Sequence, residues 1–174
     1  MYAEAELASD YVLQHAPLRL VMGLATNAAA DAQKTLKGDH LRVDLPASFL
    51  RLLRVSCAGW LVPVDAFLET GNPAYRLRTN PYAAPDVARP AVYLVPGSPR
   101  ALELYPKPED ADGLDELYFV AKTPPETLTD ALRDATLWDA VRRVAQNVRE
   151  FEVATKAAEA MALALDGVEI GQAR

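Results

Sequence analysis

The spacing of hydrophobic positions along this chain changes from helical steps to alternation and back again. Residues 3 to 15 are charged and alanine-rich, with Leu7, Tyr11 and Leu13 marking one helical side, and Pro17 either ends this helix or starts the next. From Leu18 to Leu36 the apolar residues Leu20, Val21, Leu24, Ala28 and Leu36 are compatible with a second helix, weakened by Gly23 and Asn27 and capped by Gly38. Leu41, Val43 and Leu45 then alternate with polar residues, as in a short half-buried strand. VDLPASFLRLLRV, residues 43 to 55, turns at Pro46 into a helical turn with Phe49, Leu50 and Leu53 on one side. Val55 to Val64 returns to extended structure around Gly59, with Trp60 packed nearby.

FLETGNPAYRLRTNPYAAPDVARP, residues 67 to 90, carries four prolines and two Asn-Pro steps and reads as a long ordered loop or a projecting arm. Ordered segments of this kind are usually functional, most often in binding, and Tyr75 and Tyr82 lie either against the chain's own sheet or against a neighbour. Val92 and Leu94 face Leu102 and Leu104 across Gly97-Ser98-Pro99, the pattern of a hairpin. A polar turn from Pro106 to Gly113 leads to a further strand at Leu117 and Phe119, and Pro124-Pro125 ends the β region. From Thr127 to Leu165 there is neither Gly nor Pro. Leu128, Leu132, Ala135, Trp138, Val141, Ala145, Val148 and Phe151 recur at helical steps, which makes Trp138 and Phe151 expected core anchors. That length exceeds the usual globular helix, so it either breaks near Gln146 to Arg149 or runs long against partners. Ala154, Ala157, Ala158, Met161, Ala162 and Leu165 continue the apolar side until Asp166-Gly167 closes it.

The expected fold class is α+β: a mostly helical bundle, made of N-terminal helices and a long C-terminal helix or helix pair, carrying a small antiparallel β insertion with a long Pro-rich loop. The expected organisation is a single domain over 1–174, with 1–38 and 125–166 helical and 41–122 the β-rich insertion.

Composition narrows the function. The chain is about half hydrophobic and a quarter charged over 174 residues, the profile of one folded domain with a sizeable core. Its formal charge of -6 argues against dense nucleic-acid contact, although a local basic patch is compatible with it. No apolar stretch approaches the roughly twenty residues needed to cross a bilayer, and the acidic start MYAEAELASD does not read as an export signal. The lone cysteine, Cys57, excludes an internal disulfide framework and a cysteine zinc cluster, and reads as a small buried hydrophobe.

The sequence carries no motif of catalytic or metal-binding chemistry. His15 and His40, with Asp39 or Asp44, lack HxH or HExxH spacing and read as exposed or capping residues. There is no phosphate-cradling GxxxxGK[ST] or GxGxxG, and Ser48 and Ser56 have no GxSxG elbow. The acids Glu109, Asp110, Asp112, Asp115 and Glu116 lack the alternate-residue pattern of a calcium loop and read as a solvated turn. The chain is therefore read as neither an enzyme nor a cofactor or metal binder. Arg51, Arg54, Arg76 and Arg78 either pair with carboxylates of a neighbouring copy or solubilise the surface.

One ordered set of motifs carries a resemblance: V-x-L-P-x-S-F-L-R-L-x-R-V (43 to 55), G-W-x-x-P-V (59 to 64), Asn80-Pro81-Tyr82 with Tyr75 in the arm, R-P-A-V (89 to 92) and L-E-L-Y-P (102 to 106). Over residues 40 to 165 this resembles the head-to-tail adaptor, or neck and connector ring, proteins of tailed bacteriophages, prophage-borne versions included. The resemblance implies a virion structural protein made in the bacterial host cytoplasm. Identical copies would form a ring that joins the portal protein to the next neck or tail protein, with DNA only as passing cargo and no membrane. It implies Phe49, Leu50, Leu53 and Trp60 as the internal anchor, and Arg51, Arg54, Tyr75, Arg76 and Tyr82, with Arg78 beside them, as candidate subunit or portal contacts. The residues alone leave two alternatives. One is a non-catalytic protein-binding or regulatory module, monomeric or dimeric, whose arm folds back on its own sheet. The other is a small hydrolase or metal-dependent enzyme, which needs His40 or the acids of 109 to 116 to converge.

Overall fold

The computed structural model describes residues 2–166. In chain order the elements are α1 (Tyr2–His15), α2 (Leu18–Val21), β1 (Ala25–Asn27), β2 (Lys34–Leu36), β3 (Leu41–Asp44), β4 (Phe49–Cys57), β5 (Leu68–Glu69), α3 (Pro73–Leu77), β6 (Ala91–Val95), β7 (Ala101–Tyr105), β8 (Leu114–Ala121), α4 (Asp130–Asn147) and α5 (Phe151–Asp166). They fall into two compact units, Ala25–Val120 and the segments on either side of it.

The expectation of a mostly helical bundle is overturned. Helix accounts for about 39% and strand for about 26%, and the strands form two sheets of three and five, so the β part is a major body of the fold. Two local readings account for much of the error. Leu18 to Leu36 is no second helix: after the single turn of α2 and a 3-10 turn, β1 pairs antiparallel with Val120–Tyr118, and β2 with Val43–Leu41. Three-residue strands of this kind take their identity from the partner strand rather than from their own periodicity. After Pro46 there is one hydrogen-bonded turn, the Phe49 N–H donating to the Pro46 carbonyl at 3.0 Å, but the expected helical side of Phe49, Leu50 and Leu53 is absent, since Phe49 opens the nine-residue strand β4. Phe49 and Leu53 stand four apart and mimic a helix face, while Leu53, Val55 and Cys57 bury at the alternating period of a strand.

The smaller sheet runs β1-β8-β4 and the larger β2-β3-β7-β6-β5. The anticipated hairpin is present, with Val92 opposite Leu104 and Leu94 opposite Leu102. Central β7 is buried along its whole length and also pairs with β3, which sets Leu41 against Leu104 and Val43 against Leu102. One edge is parallel: Leu68 and Glu69 of β5 lie beside Tyr93 and Leu94. Val55 and Val64 exchange both backbone hydrogen bonds, at 2.8 and 2.9 Å, across a turn in which Gly59 takes a positive φ of 86°.

In the helical unit α4 packs against both α1 and α5. The buried side of α1 is Ala8, Ser9, Val12 and Leu13, while Leu7 is exposed. The Ser9 hydroxyl donates to the Thr123 carbonyl at 2.9 Å, and Lys122 pairs with Asp10 at 3.2 Å. The long Gly- and Pro-free run breaks into two helices. α4 closes with the Glu150 N–H donating to the Ala145 carbonyl at 2.8 Å and the Arg149 N–H to the Gln146 carbonyl at 3.2 Å. This double bond is the Schellman arrangement, and Arg149 takes the left-handed conformation it requires, φ 63°, a position that glycine usually fills. The turn carries Val148 and Phe151 off the buried side, so Phe151, expected in the core, is 67% exposed. Gly167, expected to close α5, lies outside the described residues.

Candidate interaction surface: the arm and its aromatic cluster

Residues 67 to 90 form an ordered arm fixed by side chains that bond the local backbone. Asn72 caps α3 by accepting from the Ala74 N–H at 2.9 Å, with Pro73 in the first turn where no N–H is needed. Asn80 accepts from the Tyr82 N–H at 2.9 Å. Asp86 accepts from the N–H groups of Ala88 and Arg89, both at 2.9 Å, and pairs with the Arg89 guanidinium at 2.7 Å. The two Asn-Pro steps are thus a helix start and a turn.

One side of the arm is fastened to the five-stranded sheet. The Tyr75 hydroxyl donates to Glu103 Oε2 at 3.0 Å, and the Tyr105 hydroxyl donates to the same oxygen at 3.2 Å. Arg78 Nε donates to the Tyr105 oxygen at 3.2 Å, and its guanidinium lies 3.9 Å from the centre of the Tyr75 ring. The Tyr93 hydroxyl donates to the Ala74 carbonyl at 3.2 Å, and the Tyr93 ring meets those of Tyr75 and Tyr105 edge-on at 5.1 and 5.7 Å. On the far side of Glu103, His40 Nε2 is 3.7 Å from Oε1, while His40 Nδ1 is bonded to Asp39 at 2.8 Å. Burial, reinforced by the Glu103 carboxylate, raises the Tyr75 hydroxyl above its ordinary range, and burial raises Tyr105 as well, so both are donors at neutral pH. The hydrogen bond from His40 holds the Asp39 carboxyl below its usual range.

The other side of the arm faces outward. Tyr82 is 95% exposed, and Leu77 and Val87 of the arm are exposed as well. Arg76 is exposed on α3. Tyr75 and Arg78 are therefore engaged within the chain, while Arg76 and Tyr82 are displayed. Arg54 is bound to Glu116 at 2.5 Å, and Arg51 is half-buried on β4. Phe49 and Leu53 are buried, whereas Leu50 and Trp138 are half-buried. Trp60 is half-buried too, its indole N–H donating to the Pro106 carbonyl at 2.9 Å.

Sequence reasoning missed Glu103 and its three tyrosine neighbours as a cluster. The available signal was an acid in the middle of the otherwise apolar strand ALELY. It also missed Asp139, buried on α4, whose signal was a carboxylate on the inward stripe with arginines three and four residues later.

Among the described residues no group of three or more His, Cys, Asp or Glu side chains is placed to hold a metal ion, and no helix is long and apolar enough to cross a membrane. Cys57 is buried, and that burial pushes its thiol up to about 12. At pH 8 it is expected to react with a maleimide only as fast as the sheet unit opens, and at the full rate in denaturant. Rapid stoichiometric labelling of the native chain, read by mass spectrometry, would refute this.

Compared with known families, the chain matches SU10 adaptor protein over residues 3–174. It belongs to that adaptor family. No curated protein matches it significantly. Membership agrees with the resemblance to phage head-to-tail adaptors, and points to a structural, non-enzymatic part in a bacteriophage particle that deals with other head or tail proteins.

Proposed function

We propose that this adaptor assembles as a ring of identical copies at the head-tail junction, joining the portal to the next neck or tail protein and leaving a passage for DNA. The outward side of the arm, with Arg76 and Tyr82, makes the contact with a neighbouring copy or with the portal. The observation that carries the reading is a segment ordered by its own side chains that nonetheless leaves a tyrosine 95% exposed. Aromatic and arginine side chains on such a platform are what interface centres are built from. A rotationally repeated contact between two different patches closes into a ring, and a chain of net charge -6 suits a lumen along which DNA slides without being held. The docking of Tyr75 on the chain's own sheet is also what a stand-alone binding module would show; family membership favours the adaptor.

The test is mass by light scattering over a concentration series, alone and with the portal protein of the same phage, followed by negative-stain imaging. Annular, multi-copy particles are expected in at least one condition, and Tyr82→Ser with Arg76→Ser is expected to weaken their formation at least tenfold. A single copy under both conditions, or assembly indifferent to the double substitution, would count against the reading.

A further inference from the structure

We propose that the arm helix is a releasable latch: residues 72 to 84 leave the sheet as a unit while the sheet stays folded, and Glu103 is the catch. α3 has only five residues and none of them is buried. A helix of that length does not hold itself in water, so its place depends on what it docks against. That docking is concentrated in one cluster. Tyr75, Arg78 and the Ala74 carbonyl meet Glu103, Tyr105 and Tyr93, and the two shared tyrosine bonds converge on a single carboxylate oxygen.

The segment is tied down beyond both of its ends. Before it, Leu68 and Glu69 pair with Tyr93 and Leu94; after it, the Leu61 N–H donates to the Val87 carbonyl at 2.8 Å. Between these ties the attachments to the sheet are part-exposed polar bonds, which water can replace at little cost, and one ring contact, Tyr75 edge-on to Tyr93, far less apolar burial than the pairs of β6 and β7 provide. The arrangement is that of a flap with two fixed ends and a polar fastening in the middle.

Opening brings Tyr75 and Arg78 out beside Arg76 and Tyr82. Residues 67 to 90 hold three arginines against Glu69 and Asp86, in a chain whose total charge is -6. An opened arm of this composition fits a carboxylate-bearing protein surface, of which a second copy of this chain is one. That use rests on the adaptor reading; the latch does not.

Native-state hydrogen exchange on the whole chain tests it without any partner. The arm reporters are the amides of Tyr75, Asn80 and Ala84, which donate to the carbonyls of Asn72, Leu77 and Asn80. The sheet reporters are the amides of Val92 and Leu102 to Leu104. In the unmodified chain the arm amides are expected to exchange at least a hundredfold faster than those of the sheet, yet more slowly than unstructured chain. Tyr75→Phe, which keeps the ring and removes one hydroxyl, is expected to speed the arm roughly tenfold and leave the sheet unchanged. Glu103→Gln should do the same if it folds; if it does not, Tyr75→Phe alone decides. Arm and sheet exchanging together, arm amides already at the unstructured rate, or a Tyr75→Phe effect absent or equal in both sets would each overturn the latch.

Discussion

Replacing Asp139 with alanine is expected to destabilise the helical unit by about 3 kcal/mol, the largest effect of any single polar substitution in that unit. Asp139 has no exposed side-chain surface. One carboxylate oxygen accepts from Arg142, whose Nε lies at 2.9 Å and whose terminal nitrogen also bonds to it, and the other accepts from Arg143 Nε at 2.6 Å. Both guanidiniums also lie over the Tyr11 ring, at 5.2 and 5.3 Å, so a single acid organises the contact between α1 and α4. Removing it leaves two adjacent cations without a counter-charge. They are partly exposed and can turn to water, which keeps the loss near the lower end for a broken buried pair. A fall of roughly 6 to 12 °C in the thermal midpoint, followed by helical circular dichroism, corresponds to that loss. A change below about 1 kcal/mol would place the triad with ordinary surface ion pairs.

Phe49→Ala is expected to be the costliest core truncation in the sheet unit, at about 4 kcal/mol. The ring is fully buried, 5.4 Å from Phe119 and 6.3 Å from Phe67, and Arg100 donates to the Phe49 carbonyl at 2.8 Å with its guanidinium 5.8 Å from the ring centre. Truncation opens a cavity beside Phe119, which β8 holds in place, so collapse cannot fill it. Phe49→Leu retains most of the volume and should cost about 1 kcal/mol. The chain has two tryptophans, Trp60 in the sheet unit and Trp138 in the helical unit. In a Trp138→Phe background, urea unfolding read by Trp60 emission reports the sheet unit alone. A midpoint that Phe49→Ala leaves in place would show that this ring does not hold the sheet together.

How much could be read from the sequence depended on whether a segment's partner lay within its own pattern. The hairpin of β6 and β7 was legible because Val92, Leu94, Leu102 and Leu104 alternate strictly on both sides of a proline turn, and they pair as that alternation implies. β1 and β2 were not, because residues 25 to 27 and 34 to 36 are strands only by virtue of the edges they meet. β4 deceived through Phe49 and Leu53, whose spacing of four satisfies either period. The arm was recognisable from its prolines and tyrosines. Which tyrosine was fastened and which displayed was not, since Tyr75 and Glu103 stand 28 positions apart and meet only through the sheet. The break after α4 could be raised as an option, but not decided, because an arginine in the left-handed region leaves no mark in the pattern.

That break sets how far the C-terminal part of the chain reaches. At 1.5 Å per residue, the run from Asp130 to Asp166 would span about 55 Å as one rod, whereas the folded pair is only about 27 Å long. No glycine or proline between them imposes the fold; two backbone hydrogen bonds and the packing of α5 on α4 hold it against one unfavourable φ. The length of the C-terminal helical run is therefore halved at a single residue, Arg149.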